Sequence, residues 1–224
     1  MTTSNRTKAH QRYQLADNSF VPSVTTILGR FKESGGLIYW AWTQGRDGKD
    51  FREERDVAAD AGTLAHSLVQ AHIEKRNVEQ TLIDAKAIPE IADKATQAFS
   101  NYLTWESQTG VKVIALETPM ISERHKFGGT PDALFEINGK LHMADWKSSN
   151  AIYGDYLLQL AGYRILWDEN HPENTITGGY HICRFAKEHG DFAHHYYDNL
   201  DEAQQMFLLL KDAYALDRLL KKRV

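Results

Sequence analysis

Along residues 53–76, apolar side chains fall at Val57, Ala61, Leu64, Ala65, Leu68, Val69 and Ile73, a three- and four-residue spacing that predicts an amphipathic helix. A second helix is predicted over 89–108, with Pro89 in its first turn, Ala95, Phe99, Tyr102 and Leu103 inward, and Gly110 as its stop. Residues 77–88 between them show no strong pattern. Upstream, 13–22 suit a short hairpin or extended entry, and Pro22 and Ser23 open a short helix over 24–31. The glycine-rich stretch 33–50, with Tyr39, Trp40 and Trp42, suits a loop or broken helix. The period then shortens to two: 111–117, 126–137 and 140–147 are rich in β-branched and aromatic residues, and Asn138-Gly139 signals a tight hairpin. A helix over 154–168, strands over 179–186 and 192–198, and a helix over 201–222 complete the order, with Asp201 and Gln204 placed like a capping box. Strands and helices in this sequence define an α/β (α+β) chain. With no repeat and no linker, it is expected to form one domain over 13–224 after a loose terminus at 1–12.

Composition narrows the class. At 224 residues, with 42% apolar and 25% charged residues, the chain can bury a core and does not resemble a disordered protein. Cys183 is the only cysteine, which excludes an intrachain disulfide, a four-cysteine zinc site and a cysteine-held iron-sulfur cluster. A reducing, cytoplasmic setting is expected. No apolar run reaches the roughly 18 residues of a membrane span, and the polar start "MTTSNRTKAHQR" has no signal-peptide core. The net charge of −4 does not advertise a polyanion partner, yet a local groove can be basic on an acidic protein.

The chemistry concentrates in "GGTPDALFEINGKLHMADWKSS" (128–149), where charges interrupt strand-forming residues. Side chains alternate along a strand, so Leu141, Met143, Asp145 and Lys147 face one way and His142, Ala144 and Trp146 the other. Asp132 lies six residues before Asn138, and Asp145 six residues after Gly139, so regular antiparallel pairing sets the two carboxylates side by side next to Lys147. Adjacent carboxylates repel unless a proton or a cation intervenes, and hard divalent ions prefer oxygen ligands. A Mg²⁺ or Mn²⁺ site is the simplest reconciliation. It would suit phosphodiester hydrolysis, with Lys147 orienting or deprotonating water or neutralising the pentacovalent phosphorus. The plain alternative is a turn at Asp132 and a solvated Asp145–Lys147 pair.

The spacing "TPD" then "DWK" resembles the PD-(D/E)XK nuclease superfamily. More narrowly, "GTLAH" (62–66), "GGTPD", "ADWKSS" and "QLAGY" (159–163), in that order, resemble its RecB-like branch. "VPSVT" (21–25) and "ALE" (115–117) add a likeness to mitochondrial genome maintenance exonucleases and phage-type exonucleases. The resemblance implies a restriction-endonuclease-like core, a mixed central sheet flanked by helices, with N-terminal helical segments. It implies His66, Asp132, Asp145 and the main-chain carbonyl of Trp146 as metal ligands and Lys147 as catalytic. Gln159 and Tyr163 would hold the lysine or the nucleic-acid backbone, or else serve in ordinary packing; Glu117 would position a water or a second metal.

Backbone contacts to DNA call for cations and donors. Arg52, Arg55, Arg124 and Lys126 are the preferred candidates among several. Arg46, Lys49 and the C-terminal Lys211, Arg218, Lys221, Lys222 and Arg223 suit solvated faces as well. Ser148 and Ser149 could touch phosphate or shape a turn; Ser23 and Thr25 could bind phosphate at a helix start, or Ser23 could be a plain cap. The expected function is a metal-dependent DNA exonuclease acting on single-stranded or end-bearing DNA in replication, recombination or repair, in a bacterial or phage-infected cell, alongside a recombination or replication protein. The competing functions are a structure-selective endonuclease and a DNA-binding recombination protein with little cleavage activity.

Overall fold

The computed structural model describes residues 12–32, 35–185 and 191–223, with the side chains of residues 37 and 53–60 outside the description. The loose terminus expected over 1–12 lies outside the described residues except for Arg12. A short hairpin, β1 (Tyr13–Gln14) and β2 (Phe20–Val21), opens the chain as predicted. Ser23 then caps α1 (Val24–Phe31), its hydroxyl accepting from the Thr26 amide at 3.0 Å. The stretch read as a loop or broken helix is instead a continuous helix, α2 (Gly35–Arg46). Its glycines sit in the first and last turns, where they punctuate the helix without interrupting it, and Gly48 falls beyond its end with φ +74°.

The long helix α3 (Phe51–Ile73) is capped by Asp50, which accepts from the Arg52 amide at 2.8 Å. The patternless linker contains a helix too short to show a period, α4 (Val78–Ala85), started by Asn77, which accepts from the Gln80 amide at 2.9 Å. The next helix, α5 (Pro89–Thr109), begins on Pro89 and ends on Gly110 in the left-handed conformation, as expected.

Strand β3 (Lys112–Leu116) follows, and then the expected strand over 126–137 divides. A short β4 (Met120–Ser122), which no sequence pattern announced, pairs with β5 (Phe127–Gly129) as a separate ribbon. Beyond Thr130 and Pro131, β6 (Ala133–Ile137) joins the main sheet. Pro131 has no N–H to give a ladder, so the chain changes sheets there. The turn at Asn138 and Gly139, both with positive φ, returns the chain into β7 (Lys140–Ser148). Helix α6 (Gly154–Asn170) crosses over to β8 (Gly179–Phe185), which runs parallel to β7; β9 (Phe192–Tyr197) and α7 (Asp201–Lys221) complete the fold. The capping box expected at Asp201 and Gln204 does not form, because the Asp201 carboxylate accepts from Arg164 of α6 at 2.8 Å.

The five-stranded sheet, ordered β3-β6-β7-β8-β9, is mixed and lies between two helical layers. Val24, Ile27, Leu134, Met143, Leu166, Ile182 and Phe207 fill the side covered by α1, α6 and α7. Leu68, Tyr102, Trp105, Phe135, Trp146, Cys183 and Phe185 fill the side covered by α3 and α5. β7 therefore alternates between two cores, and Asp145 stands on the α6 side between Met143 and Lys147. No helix among the described residues is long and apolar enough to cross a membrane.

One contact fixes how closely α3 approaches β7. A Cβ added at Gly62 would lie 1.5 Å from Ser148 Oγ and 2.3 Å from Ser148 Cβ. Gly62→Ala is expected to destabilise the protein by about 1–3 kcal/mol, as overpacking does. Ser148→Gly in the same chain should recover most of that loss. Urea unfolding of the single and double variants checks both; an unaffected Gly62→Ala protein would contradict the packing.

Candidate active site

The hairpin register carries the site. Ala133 pairs with Ala144, so Asp132, one residue before β6, stands beside Asp145. Its carboxylate turns toward β7 and accepts from the Trp146 amide at 2.8 Å. Asp145 is 1% exposed. Its Oδ2 meets the Lys147 ammonium as an ion-pair contact but accepts no directed hydrogen bond. Its Oδ1 takes a long bond, 3.4 Å, from the Gln159 amide.

Helix α6 supplies the third wall. Lys147 Nζ donates to Gln159 Oε1 at 2.8 Å, and Gln159 Nε2 donates to the Tyr163 hydroxyl at 2.7 Å. Gln159 and Tyr163, four residues apart, share one helical face, and Tyr156 lies on it too. The Tyr156 ring lies beneath the ammonium, 5.0 Å from Nζ to its centroid. Tyr156 escaped the sequence reading, although its spacing from Gln159 and Tyr163 was the available signal.

Electrostatics follow from burial. Burial pushes the Asp145 pKa above the ordinary carboxylate range; Lys147 opposes that shift and the Asp132 charge adds to it. Lys147 is disfavoured as a cation by burial, but Asp145 and Asp132 more than compensate and hold its pKa above the usual lysine value. Burial, then the Asp145 and Asp132 charges, raise the Tyr163 hydroxyl well above its normal range, so it stays neutral. On the opposite face, burial and the same two charges raise the Cys183 thiol, which makes it inert.

The other expected residues fall at graded distances. Glu117, just past β3, donates its amide to the Asp132 carbonyl at 3.0 Å and holds a left-handed φ of +43°, which places it on the next strand position beside the pair. His66 is half-buried on α3, one turn beyond Gly62 and on the same face. Among the described residues, no three histidine, cysteine, aspartate or glutamate side chains gather closely enough to surround a metal. Ser148 Oγ is buried without a hydrogen-bond partner. The Ser149 hydroxyl instead donates to the Ala151 carbonyl at 2.8 Å, so it shapes the turn after β7.

Ser23 caps α1 and forms a bridge to Gly128, and Thr25 Oγ1 lies 3.0 Å from its hydroxyl. Arg52 lies at the far end of α3, about 21 Å along the axis from His66 at 1.5 Å per residue; the Arg55 side chain lies outside the described residues. Arg124 and Lys126 occupy the turn between β4 and β5, at the other end of β5 from Asp132.

The donor set fits a hard divalent cation. Two adjacent carboxylates, one with an oxygen that no directed donor satisfies, provide charge and oxygen ligands, and the Trp146 carbonyl belongs to the same strand end. A fold that opposes α-helical layers across a mixed sheet and plants an acid pair and a lysine on its central hairpin defines a class. The chain belongs to the PD-(D/E)XK nuclease superfamily, whose family model matches residues 39–223. Among solved structures it is similar to a "Putative exonuclease" from Eubacterium rectale, with 16% identity over 69% of this chain and 68% of that one and a TM-score of 0.47. It is also similar to SSO0001, with 12% identity over 71% and 74% of the two chains and a TM-score of 0.34. No curated protein matches the chain.

Without divalent ions, Asp145 is expected to titrate above an ordinary aspartate, and Asp132→Asn should bring that titration down. Because its folded pKa lies above the unfolded value of 3.8, this group subtracts stability as pH rises from about 4 through its folded pKa. Carboxyl-carbon NMR titration of the two proteins reads the shift directly. An Asp145 titration unmoved by Asp132→Asn would contradict the repulsion.

Proposed function

We propose that this nuclease is a divalent-metal-dependent DNA exonuclease acting on single-stranded or end-bearing DNA. The observation that carries the hydrolytic reading is the Asp132–Asp145 pair with the Lys147 ammonium beside it, on a hairpin otherwise flanked by core. Asp132, Asp145 and the Trp146 carbonyl would hold the ion, with His66 as the fourth ligand the motif order implies. The ion, when bound, supplies Lewis acidity and lowers the pKa of water near the scissile phosphate.

The chain's own residues do the rest. Lys147 stays protonated in its acidic surroundings, so it acts as a fixed cation toward the charge that grows on phosphorus during attack. Gln159 holds Lys147, and Tyr163 holds Gln159, so the ammonium does not need to reorganise during the reaction. Water oxygen forms the new bond to phosphorus as the bond to the leaving sugar oxygen breaks, and that oxygen ends protonated. Glu117 would orient water, whereas Ser148 Oγ, buried against Gly62, serves as a packing contact.

Exonuclease action, and a role in replication, recombination or repair, rest on the order of "GTLAH", "GGTPD", "ADWKSS" and "QLAGY", which resembles RecB-like and phage-type exonucleases. One nuclease unit over 13–224 is part of the same proposal.

End-labelled linear single strands should disappear in Mg²⁺ or Mn²⁺ and survive in EDTA, while a closed single-stranded circle persists. Lys147→Ala should slow the loss about 10²–10⁴-fold, the scale of losing one charge-stabilising or proton-transferring group. Cutting of the circle at the linear rate would replace the exonuclease with an endonuclease. Metal-independent cleavage, or full activity in Lys147→Ala, would overturn the site assignment.

A further inference from the structure

A cavity of about 380 Å³ lies between β2, the β4–β5 turn and α7. Phe20, Arg124, Lys126, Lys211, Tyr214 and Arg218 wall it. The lining holds four permanent cations and no carboxylate, on a chain whose formal charge is −4. Packing does not call for such a grouping, because like charges gathered on one wall repel; it is a feature that attracts an anion. Lys211 and Lys126 are balanced from outside the cavity, by Asp212 at 2.6 Å and Glu123 at 3.4 Å. The Arg124 and Arg218 guanidinium groups have no carboxylate partner among the described residues. His125, also in the lining, senses the same field: burial first, then Lys211 and Arg124, lower its pKa.

The rings select among anions. Phe20 is 59% exposed at the rim, and Tyr214 lies among the cations. A free phosphate would use the cations and leave the rings idle, and a duplex has its bases already stacked. A single strand uses both, its backbone on the cations and an unstacked base on an aromatic face.

The cavity is joined to the acid pair through the hairpin. Val21, in the cavity wall, pairs with Tyr13, whose hydroxyl lies 2.7 Å from Thr130 Oγ1, two residues before Asp132. The Pro22 carbonyl accepts from the Gly128 amide at 3.0 Å. Lys126 lies six residues before Asp132, at most about 20 Å of extended chain, which is on the order of six nucleotides at the spacing of a stacked strand. The neighbouring hollow beyond Arg124 carries Asp168 and Glu169, carboxylates that would repel an anionic strand.

We propose that this basic, aromatic cavity is a second nucleic-acid site that holds the single-stranded part of the substrate a few nucleotides from the acid pair. The proposal deepens the nuclease reading and rests on it. It assigns binding to Lys211 and Arg218, for which sequence alone leaves DNA contact and a solvated face both open.

The test is equilibrium binding of a fluorescent twelve-nucleotide single strand to the full chain in EDTA, across a range of salt. Lys211→Glu/Arg218→Glu should weaken binding at least tenfold and reduce the slope of log affinity against log salt by about 1.4, two contacts at about 0.7 each. Phe20→Ala should weaken binding about fivefold or more and leave the slope unchanged. Arg218→Gln, a milder change, should reduce the slope by about 0.7, which keeps the test decisive if the double reversal fails to fold by circular dichroism. Unchanged affinity and slope in folded variants would overturn the cavity's role. So would charge-dependent capture of polyglutamate in place of DNA, which would make the cavity a site for an acidic protein. Binding that depends on the cavity in a parent that never cleaves in Mg²⁺ would sink the nuclease reading and spare the cavity. Cleavage with binding insensitive to these variants would do the reverse.

Discussion

Two carboxylates held side by side on one hairpin, one of them fully buried, repel, and much of the surrounding structure can be understood as the management of that repulsion. At an effective dielectric near 20, two unit charges 4 Å apart interact by about 4 kcal/mol, a large share of a domain's net stability. The register that creates the conflict is set by two residues, Asn138 and Gly139, whose positive φ values close the turn between β6 and β7. A slip of one residue would carry Asp145 and Lys147 to the α5 side and remove the conflict together with the site. The main sheet, with a core on each face, penalises that slip because Met143 and Trp146 would exchange environments as well.

Several partners each absorb part of the charge. The Trp146 amide bonds Asp132, the Lys147 ammonium meets Asp145, and Gln159 fixes the lysine from α6. They leave Asp145 with an incompletely satisfied oxygen and a raised pKa, the condition that a divalent cation relieves. The remaining elements pack around this point. Gly62 lets α3 lie against Ser148, and the β1–β2 hairpin ties Thr130 to the cationic wall beneath α7.

The parts of the site closest together in sequence were the most legible. Counting from Asn138-Gly139 pairs Asp132 with Asp145, strand alternation puts Lys147 on the same face, and the four-residue spacing of Gln159 and Tyr163 places both on one side of α6. The structure adopts all three arrangements. Where local signals competed with distant ones, sequence reasoning failed. Asp201 looked like a cap but bonds Arg164, and the apparent single strand over 126–137 changes sheet at Pro131. Helix α2 survives glycines because they lie near its ends, and α4 is too brief for an apolar period to emerge. The basic cavity was least legible, since Phe20, Arg124 and Arg218 come from three separate parts of the chain and meet only after folding.

Calorimetric titration of the parent, Asp132→Asn and Asp145→Asn proteins with Mn²⁺ near neutral pH measures directly whether the carboxylate pair is a cation site. Binding in the parent that is lost in both variants is the expected result. Undiminished binding in both, with the proteins folded, would contradict the claim that this repulsion exists to hold a metal.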